Sequence, residues 1–155
     1  MAITDNCLHY IQCGLGNVFL QNGYSIESSP YGEGVSIHDV DSLHKAISRA
    51  IIDKPTPLRG DEFRFLRIEL DLSQKALGEY LGKTDQSVAN WEKTGNIPRE
   101  VDFLMRHIFR QTMNEASLYV EEVDRLRSMD QSDYDEWLSF QESHGRWEQA
   151  LKDCV

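Results

Sequence analysis

The 155-residue sequence predicts an α+β fold: a small N-terminal antiparallel β domain with one helix, then an all-α domain, then a C-terminal helical extension. Three observations support this prediction. Short β-like segments separated by glycine turns occupy the first 38 residues, helical periodicity begins at Asp39, and Pro55 and Pro57 interrupt it. Because proline disfavours helix at the residue before it, residues 53–57 form a predicted linker. The predicted domains are residues 1–53, 58–111 and 112–155.

The first domain contains segments rich in β-branched, aromatic or alternating residues, which predict strands at His9–Cys13, Asn17–Leu20, Tyr24–Glu27 and Gly34–His38. Asn22-Gly23 is the strongest hairpin signal, because a type I′ turn needs positive φ at both central residues. The next apolar stripe has helical spacing and consists of Val40, Leu43, Ile47 and Ile51. Asp39 or Asp41 is its expected N-cap.

In the second domain the sequence predicts four short helices over residues 58–110. Ser73 is the expected N-cap of the second helix, which ends at Gly82, and Thr84 caps the third, which ends near Gly95. After Thr112 the pattern continues helical through Leu118, Val123 and Leu126. A last amphipathic segment starts at Ser132 and includes Trp137, Phe140, Trp147 and Leu151. Its aromatic residues predict a core or dimer interface, or alternatively a surface for a protein partner.

Composition and charge restrict the function classes. The net charge is −10, but it is divided into −4 over residues 1–53, +1 over residues 54–111 and −7 over residues 112–155. Since affinity for phosphate depends on local cations, the middle domain is compatible with nucleic-acid binding, and the acidic flanks predict weak non-specific binding. Short apolar runs exclude a membrane span, and three cysteines without disulfide-like spacing predict a cytoplasmic protein.

The most informative stretch runs from Ser73 to Lys93. Leu77 and Leu81 lie one turn apart, and Gly78 provides the small residue that two closely crossing helices require. Val88 and Trp91, three residues apart, predict the buried face of the following helix. The outward face then carries hydrogen-bonding side chains, namely Thr84, Asp85, Gln86, Ser87 and Asn90. Asn and Gln can pair bidentately with the adenine edge in the major groove, so this pattern predicts contact with DNA.

This stretch resembles the Cro/repressor (XRE) helix-turn-helix family over about residues 59–110. The residues that carry the resemblance are Leu72-Ser73-Gln74, Gly82, Gln86-Ser87-Val88, Trp91-Glu92, Gly95 and Pro98. The resemblance implies that Asp85, Gln86 and Asn90 face base edges. It also implies that Gln74 and Ser87 contact phosphate, and that Gln74 sometimes contacts a base as well. Asp85 departs from the expected chemistry, because it repels phosphate unless it accepts a hydrogen bond from cytosine N4.

The predicted function is that of a DNA-binding transcriptional regulator, a homodimeric autorepressor that places helix 84–93 in the major groove of a two-fold operator. Base contacts are expected from Gln86 and Asn90, with Thr84 and Asp85 as further candidates. Phosphate contacts are expected from Gln74, Lys75, Lys83, Ser87 and Lys93. The alternative is that the same helix pair is only a scaffold with a solvated polar face.

The order of the domains resembles the MqsA-type zinc-finger/helix-turn-helix antitoxins, which implies a second hypothesis: a protein-interaction module that neutralises a toxin and represses its own operon. The two Cys-x-x-Cys pairs of that family are largely lost. Cys7 and Cys13 lie at a different spacing with His9 between them, so no zinc and no other cofactor are predicted. No phosphate loop, nucleophile motif or acid pair predicts an enzyme, and no catalytic residue is assigned.

Overall fold

The computed structural model describes residues 3–4, 6–113 and 137–151, which form a mixed α+β structure. Its strands are β1 (Ile3–Thr4), β2 (Cys7–His9), β3 (Val18–Leu20), β4 (Tyr24–Ser29), β5 (Gly32–Ile37), β6 (Leu138–Ser143) and β7 (Arg146–Ala150). Its helices are α1 (Val40–Asp53), α2 (Gly60–Glu69), α3 (Gln74–Leu81), α4 (Asp85–Thr94) and α5 (Arg99–Thr112). None of the helices in these ranges is both long and apolar enough for a membrane crossing. The described parts of residues 1–50 and 136–155 form one compact unit, and those of residues 51–135 form another.

The first unit contains a five-stranded sheet with the order β1-β2-β3-β6-β7. Strands β3 and β6 run parallel, with Leu20 opposite Phe140, whereas the other neighbouring strands are antiparallel. The prediction of an entirely antiparallel β domain is therefore wrong at this pair. Strand β3 lies in the middle of this sheet, and all three of its residues are buried. The core of this unit uses residues from both ends of the described chain.

The C-terminal strands correct the predicted helical extension. The amphipathic helix expected after Ser132 is wrong for residues 138–150, which form β6 and β7 in the same unit as the N-terminal strands. His144 and Gly145 connect the two strands with φ values of 51° and 73°, as a type I′ turn requires. Phe140 and Trp147 are buried, but on neighbouring strands rather than on a helix face. The predicted helical residues Leu118, Val123 and Leu126 lie outside the described residues.

The hairpin predicted at Asn22-Gly23 is not formed. Strand β3 already pairs with β2 and β6, and β4 pairs with β5 in a separate two-stranded sheet. The turn of that sheet lies at Pro30-Tyr31, between the paired residues Ser29 and Gly32. Gly23 does adopt a positive φ of 77°. Glycine is also required at this position for lack of space, since a Cβ would overlap the indole of Trp147.

Helix α1 begins where the sequence predicts. Asp39 Oδ1 accepts a hydrogen bond from Ser42 N at 3.3 Å, which confirms Asp39 as the N-cap. Three residues of the predicted stripe, Leu43, Ile47 and Ile51, are fully buried, whereas Val40 is exposed. The helical period therefore identified the core-facing side of this helix correctly.

Cysteine and histidine side chains in the first unit take part in structural contacts. His9 Nε2 lies 2.8 Å from Gly16 O, and His44 Nε2 lies 3.0 Å from the hydroxyl of Tyr10. The strand predicted over His9–Cys13 is wrong, because β2 ends at His9 and a turn follows. Cys7 is buried and disulfide-bonded, although the spacing of the three cysteines did not predict a disulfide. Cys154 lies outside the described residues.

The second unit is helical in its described residues, and its fully buried apolar side chains include Phe63, Leu66, Leu77, Val88 and Met105. Arg106 of α5 is fully buried as well. It donates hydrogen bonds to the carbonyl oxygens of Ile52, Lys54 and Thr56 at 3.1, 2.7 and 2.7 Å, and to Asp102 Oδ1 at 2.7 Å. Because these carbonyl groups lie in or next to the predicted linker, Arg106 fixes that segment against α5.

Candidate functional site

Helices α3 and α4 are joined by the three residues 82–84 and are capped as the sequence predicts. Ser73 Oγ accepts a hydrogen bond from Ala76 N at 3.0 Å, at the start of α3. Thr84 Oγ1 accepts one from Ser87 N at 3.1 Å, at the start of α4. Both bonds satisfy backbone N–H groups that have no partner within the helix. The expected helix boundaries at Thr84 and near Gly95 are confirmed.

Two glycines allow the close approach of α3 and the turn. Gly82 ends α3 in the left-handed conformation, with φ of 67°. Glycine is required at position 78 for a different reason, because a Cβ there would lie 2.9 Å from Lys83 O and 3.0 Å from Thr84 O. The backbone of the turn therefore packs directly on α3 at a position where a side chain does not fit.

The buried side of α4 is defined by Val88 and Trp91, as predicted. The Trp91 ring contacts Phe63 of α2 edge-on, with ring centroids 6.0 Å apart and planes at 82°. These contacts orient the remaining face of the helix outward. Its exposed side chains are Asp85, Gln86, Asn90 and Lys93, and Ser87 is half-buried.

Several of the predicted site residues also make local contacts. The hydroxyl groups of Thr84 and Ser87 lie 2.9 Å apart, and Thr84 is at the same time the helix cap. Asp85 Oδ1 accepts a hydrogen bond from Gln86 N at 2.8 Å. A carboxylate in the first helical turn interacts favourably with the positive end of the helix dipole. Asp85 thus has a structural contribution to α4, which sequence reasoning did not provide for.

Gln74 is placed by a cluster that connects three helices, and the sequence pattern indicated no role for its other two members, Arg67 and Glu92. Gln74 Nε2 of α3 donates to Glu92 Oε2 of α4 at 2.9 Å. Arg67 of α2 donates from Nε to Glu92 Oε1, and from Nη2 to Oε2 at 3.3 Å. Arg67 Nη1 also donates to Leu72 O at 2.8 Å. Arg67 and Glu92 lie 25 residues apart in the chain, so no local pattern in the sequence indicated their pairing.

The predicted cations are exposed. Lys75 lies in the first turn of α3, Lys83 in the turn and Lys93 in the last turn of α4. Within the ranges that the structure describes, none of the three makes an ion pair, so their charges are available to solvent or to a ligand. The site therefore combines a hydrogen-bonding helix face, which also carries the Asp85 carboxylate, with the ammonium groups of three exposed lysines around α3 and α4.

An open depression of about 560 Å³ lies between the start of α2 and the end of α4. Its lining includes Arg59, Asp61, Glu92 and Lys93. Arg59 donates two hydrogen bonds of 3.0 Å to the Asp61 carboxylate, and Glu92 is held by Arg67. The charges of Arg59, Asp61 and Glu92 are thus paired within the protein, whereas that of Lys93 is not paired in the described ranges, and the arrangement indicates no specific small ligand.

Comparison with known proteins adds no relative to this picture. No family model matches the sequence, and neither a curated protein nor a solved structure matches the chain. The geometry of the site consists of an outward, amide-bearing face of α4, a helix that is capped by Thr84 and packed against α2 and α3.

Proposed function

We propose that the chain is a sequence-specific DNA-binding regulator of the XRE helix-turn-helix type, a homodimeric repressor of its own promoter that inserts α4 into the major groove. The observation that carries the proposal is the division of α4 into two faces. Val88 and Trp91 anchor one face in the core, whereas Gln86 and Asn90 are exposed on the other. An α-helix fits the width of the major groove, so such a face can reach base edges.

Gln86 and Asn90 are the principal base-contacting residues in this proposal. They lie four residues apart in α4, so they occupy the same side of the helix, about one turn from each other. Each carries an amide that can donate and accept at once, which matches the N6 and N7 atoms of adenine. Operators containing adenines at successive positions are the expected targets.

Phosphate contacts come from the ammonium groups of Lys75, Lys83 and Lys93, supported by the Ser87 hydroxyl. These lysines are exposed and lie around α3 and α4. Asp85 lies in the same region and opposes phosphate, but one of its oxygens is engaged by the Gln86 N–H. With a net charge of −10, binding depends more on correct base contacts than on general attraction to DNA.

The direct test is fluorescence anisotropy of the full chain on DNA from upstream of its own gene, against scrambled DNA, at about 150 mM salt. We expect a Kd of about 10 nM on upstream DNA. The Gln86→Ala/Asn90→Ala variant should lose affinity for upstream DNA by roughly 100-fold or more, because each bidentate base contact accounts for about 1–3 kcal/mol. Gln12→Ala/Gln149→Ala, with both side chains exposed in the other unit, is the matched control and should bind normally.

Equal affinity for upstream and scrambled DNA would contradict the autorepressor. Absence of binding to both would favour the protein-interaction module, in which α3 and α4 serve only as a scaffold. A salt titration tests the cations separately. Lys83→Ala and Lys93→Ala should each flatten the dependence of log K on log salt by about one unit, whereas exposed Lys45→Ala should leave it unchanged.

A further inference from the structure

We infer that Glu92 is a positioning residue that fixes the orientation of the Gln74 amide for contact with DNA, an inference that rests on the proposed function. Gln74 is half-buried in the first turn of α3, and its Nε2 lies 2.9 Å from Glu92 Oε2. A free glutamine on a helix surface samples several rotamers and both amide orientations. The contact with Glu92 restricts this side chain before DNA arrives, which lowers the entropy lost on binding.

The chemistry of the two groups determines which way the amide faces. An ionised carboxylate has acceptor atoms only, so Gln74 must present its NH₂ group to Glu92. One N–H is then used inside the protein. The carbonyl Oε1 and the second N–H remain for an external partner, and a phosphate oxygen can accept from that N–H. Gln74 therefore offers a defined donor rather than an amide that can rotate.

Arg67 makes this arrangement possible in an interface with a polyanion. The side chains of Arg67 and Glu92 are only 11% and 6% exposed, and two guanidinium nitrogens contact the carboxylate. The guanidinium charge balances that of Glu92, so the carboxylate can bind Gln74 without repelling phosphate strongly. Because Arg67 Nη1 also donates to Leu72 O at 2.8 Å, Arg67 is fixed next to the start of α3.

A double-mutant cycle on upstream DNA tests this role. In the wild-type background, Gln74→Ala should raise Kd roughly tenfold. In the Glu92→Gln variant, the side-chain carbonyl of the new glutamine accepts hydrogen bonds from the charged Arg67. Its NH₂ group then faces Gln74, so the Gln74 amide no longer has an acceptor that fixes its orientation. Gln74→Ala should then change Kd less than twofold. Since Gln74 is uncharged, its removal should leave the salt slope unchanged.

Glu79→Gln is the matched control, because Glu79 is exposed on α3 and its loss changes the net charge equally. In that background the tenfold effect of Gln74→Ala should persist. If Glu92→Gln does not fold, Arg67→Met/Glu92→Met replaces the pair with apolar side chains of similar volume and serves as the second background. A merely structural Glu92 predicts equal effects of Gln74→Ala in all backgrounds, which would overturn the inference.

The side-chain amide signals of Gln74 in DNA-free protein provide an independent readout by ¹⁵N NMR. One N–H proton should appear shifted downfield by the carboxylate, and the shift should vanish in Glu92→Gln but remain in Glu79→Gln. An amide signal that Glu92→Gln leaves unchanged would exclude the contact. Tight wild-type DNA binding with additive effects would overturn the positioning role alone. A wild-type chain that binds no DNA would overturn the proposed function and this role together.

Discussion

The sheet unit and the helical unit differ in how far apart in the sequence their structure-determining residues lie. In the helical unit the caps and the turn glycine, Ser73, Thr84 and Gly82, lie directly beside the helices that they bound. In the sheet unit Asn22 Oδ1 accepts a hydrogen bond from Glu142 N across 120 residues of chain. Caps and turn residues can be recognised in a single sequence, whereas the identity of a strand's partner cannot. The predicted boundaries accordingly hold in α3 and α4 and fail in β6 and β7.

The largest expected change in stability concerns the sheet unit, whose strands pair over long distances in the sequence. Phe140 is fully buried on β6, opposite Leu20 of β3. Phe140→Ala should destabilise the sheet unit by about 3–5 kcal/mol, because it removes a large apolar side chain and leaves a cavity. Urea unfolding measures the loss, and amide hydrogen exchange should show it at Val18 and Leu20.

Leu151→Ala is the control from the same predicted amphipathic segment, since the Leu151 side chain is 91% exposed. Its effect should stay within about 0.5 kcal/mol. Unchanged exchange at the β3 amides in Phe140→Ala would show that the C-terminal strands do not support the N-terminal sheet. That result would remove the contrast between the two units.

A smaller effect is expected at the local contact that shapes the helical unit. Gly78→Ala places a Cβ about 3 Å from backbone atoms of the turn, which cannot move independently of α4. We expect a loss of about 1–3 kcal/mol, as for other overpacked sites. In Gly82→Ala the new Cβ has no atom within 4 Å, but the residue must keep a φ of 67°. The free energy of unfolding should therefore fall by about 1 kcal/mol.

Gly16→Ala in the sheet unit completes this series. It meets nothing within 4 Å and has no positive φ, so its stability should change by less than about 0.5 kcal/mol. Thermal unfolding of the three variants compares them directly. A cost at Gly16 equal to that at Gly78 would show that close packing in the turn does not distinguish these glycines.

The same contrast explains how much of the candidate site could be predicted. Thr84 as cap and Val88 and Trp91 as buried residues follow from side-chain chemistry and helical spacing within a dozen residues. The Arg67–Glu92 pair does not, because its two members belong to different helices and nothing near either residue indicates the other. For the C-terminal hairpin a local signal did exist in His144-Gly145, but the aromatic spacing also fits a helix. Periodicity alone does not separate these alternatives in so short a segment.

The last and smallest effect concerns another buried ion pair of the helical unit, Lys54–Glu62. Lys54 Nζ lies 3.0 and 2.8 Å from the two carboxylate oxygens of Glu62, and the side chains are 3% and 2% exposed. Burial raises the pKa of the Glu62 carboxyl above its ordinary value of 4.5, and the attraction to Lys54 offsets this only in part. The folded chain therefore holds the Glu62 proton more tightly than the unfolded chain does.

The sign of the pH dependence follows from this difference. As pH rises above about 4.5, the unfolded chain releases the proton first, so the contribution of Glu62 to stability falls until the folded-state pKa is passed. A single proton limits the slope to about 1.4 kcal/mol per pH unit. The free energy of unfolding of wild type minus that of Glu62→Gln should thus decrease with rising pH. Exposed Glu79→Gln corrects for the loss of one negative charge. A difference that instead grows with pH would mean that the attraction to Lys54 outweighs desolvation, so that this buried pair stabilises the charged carboxylate.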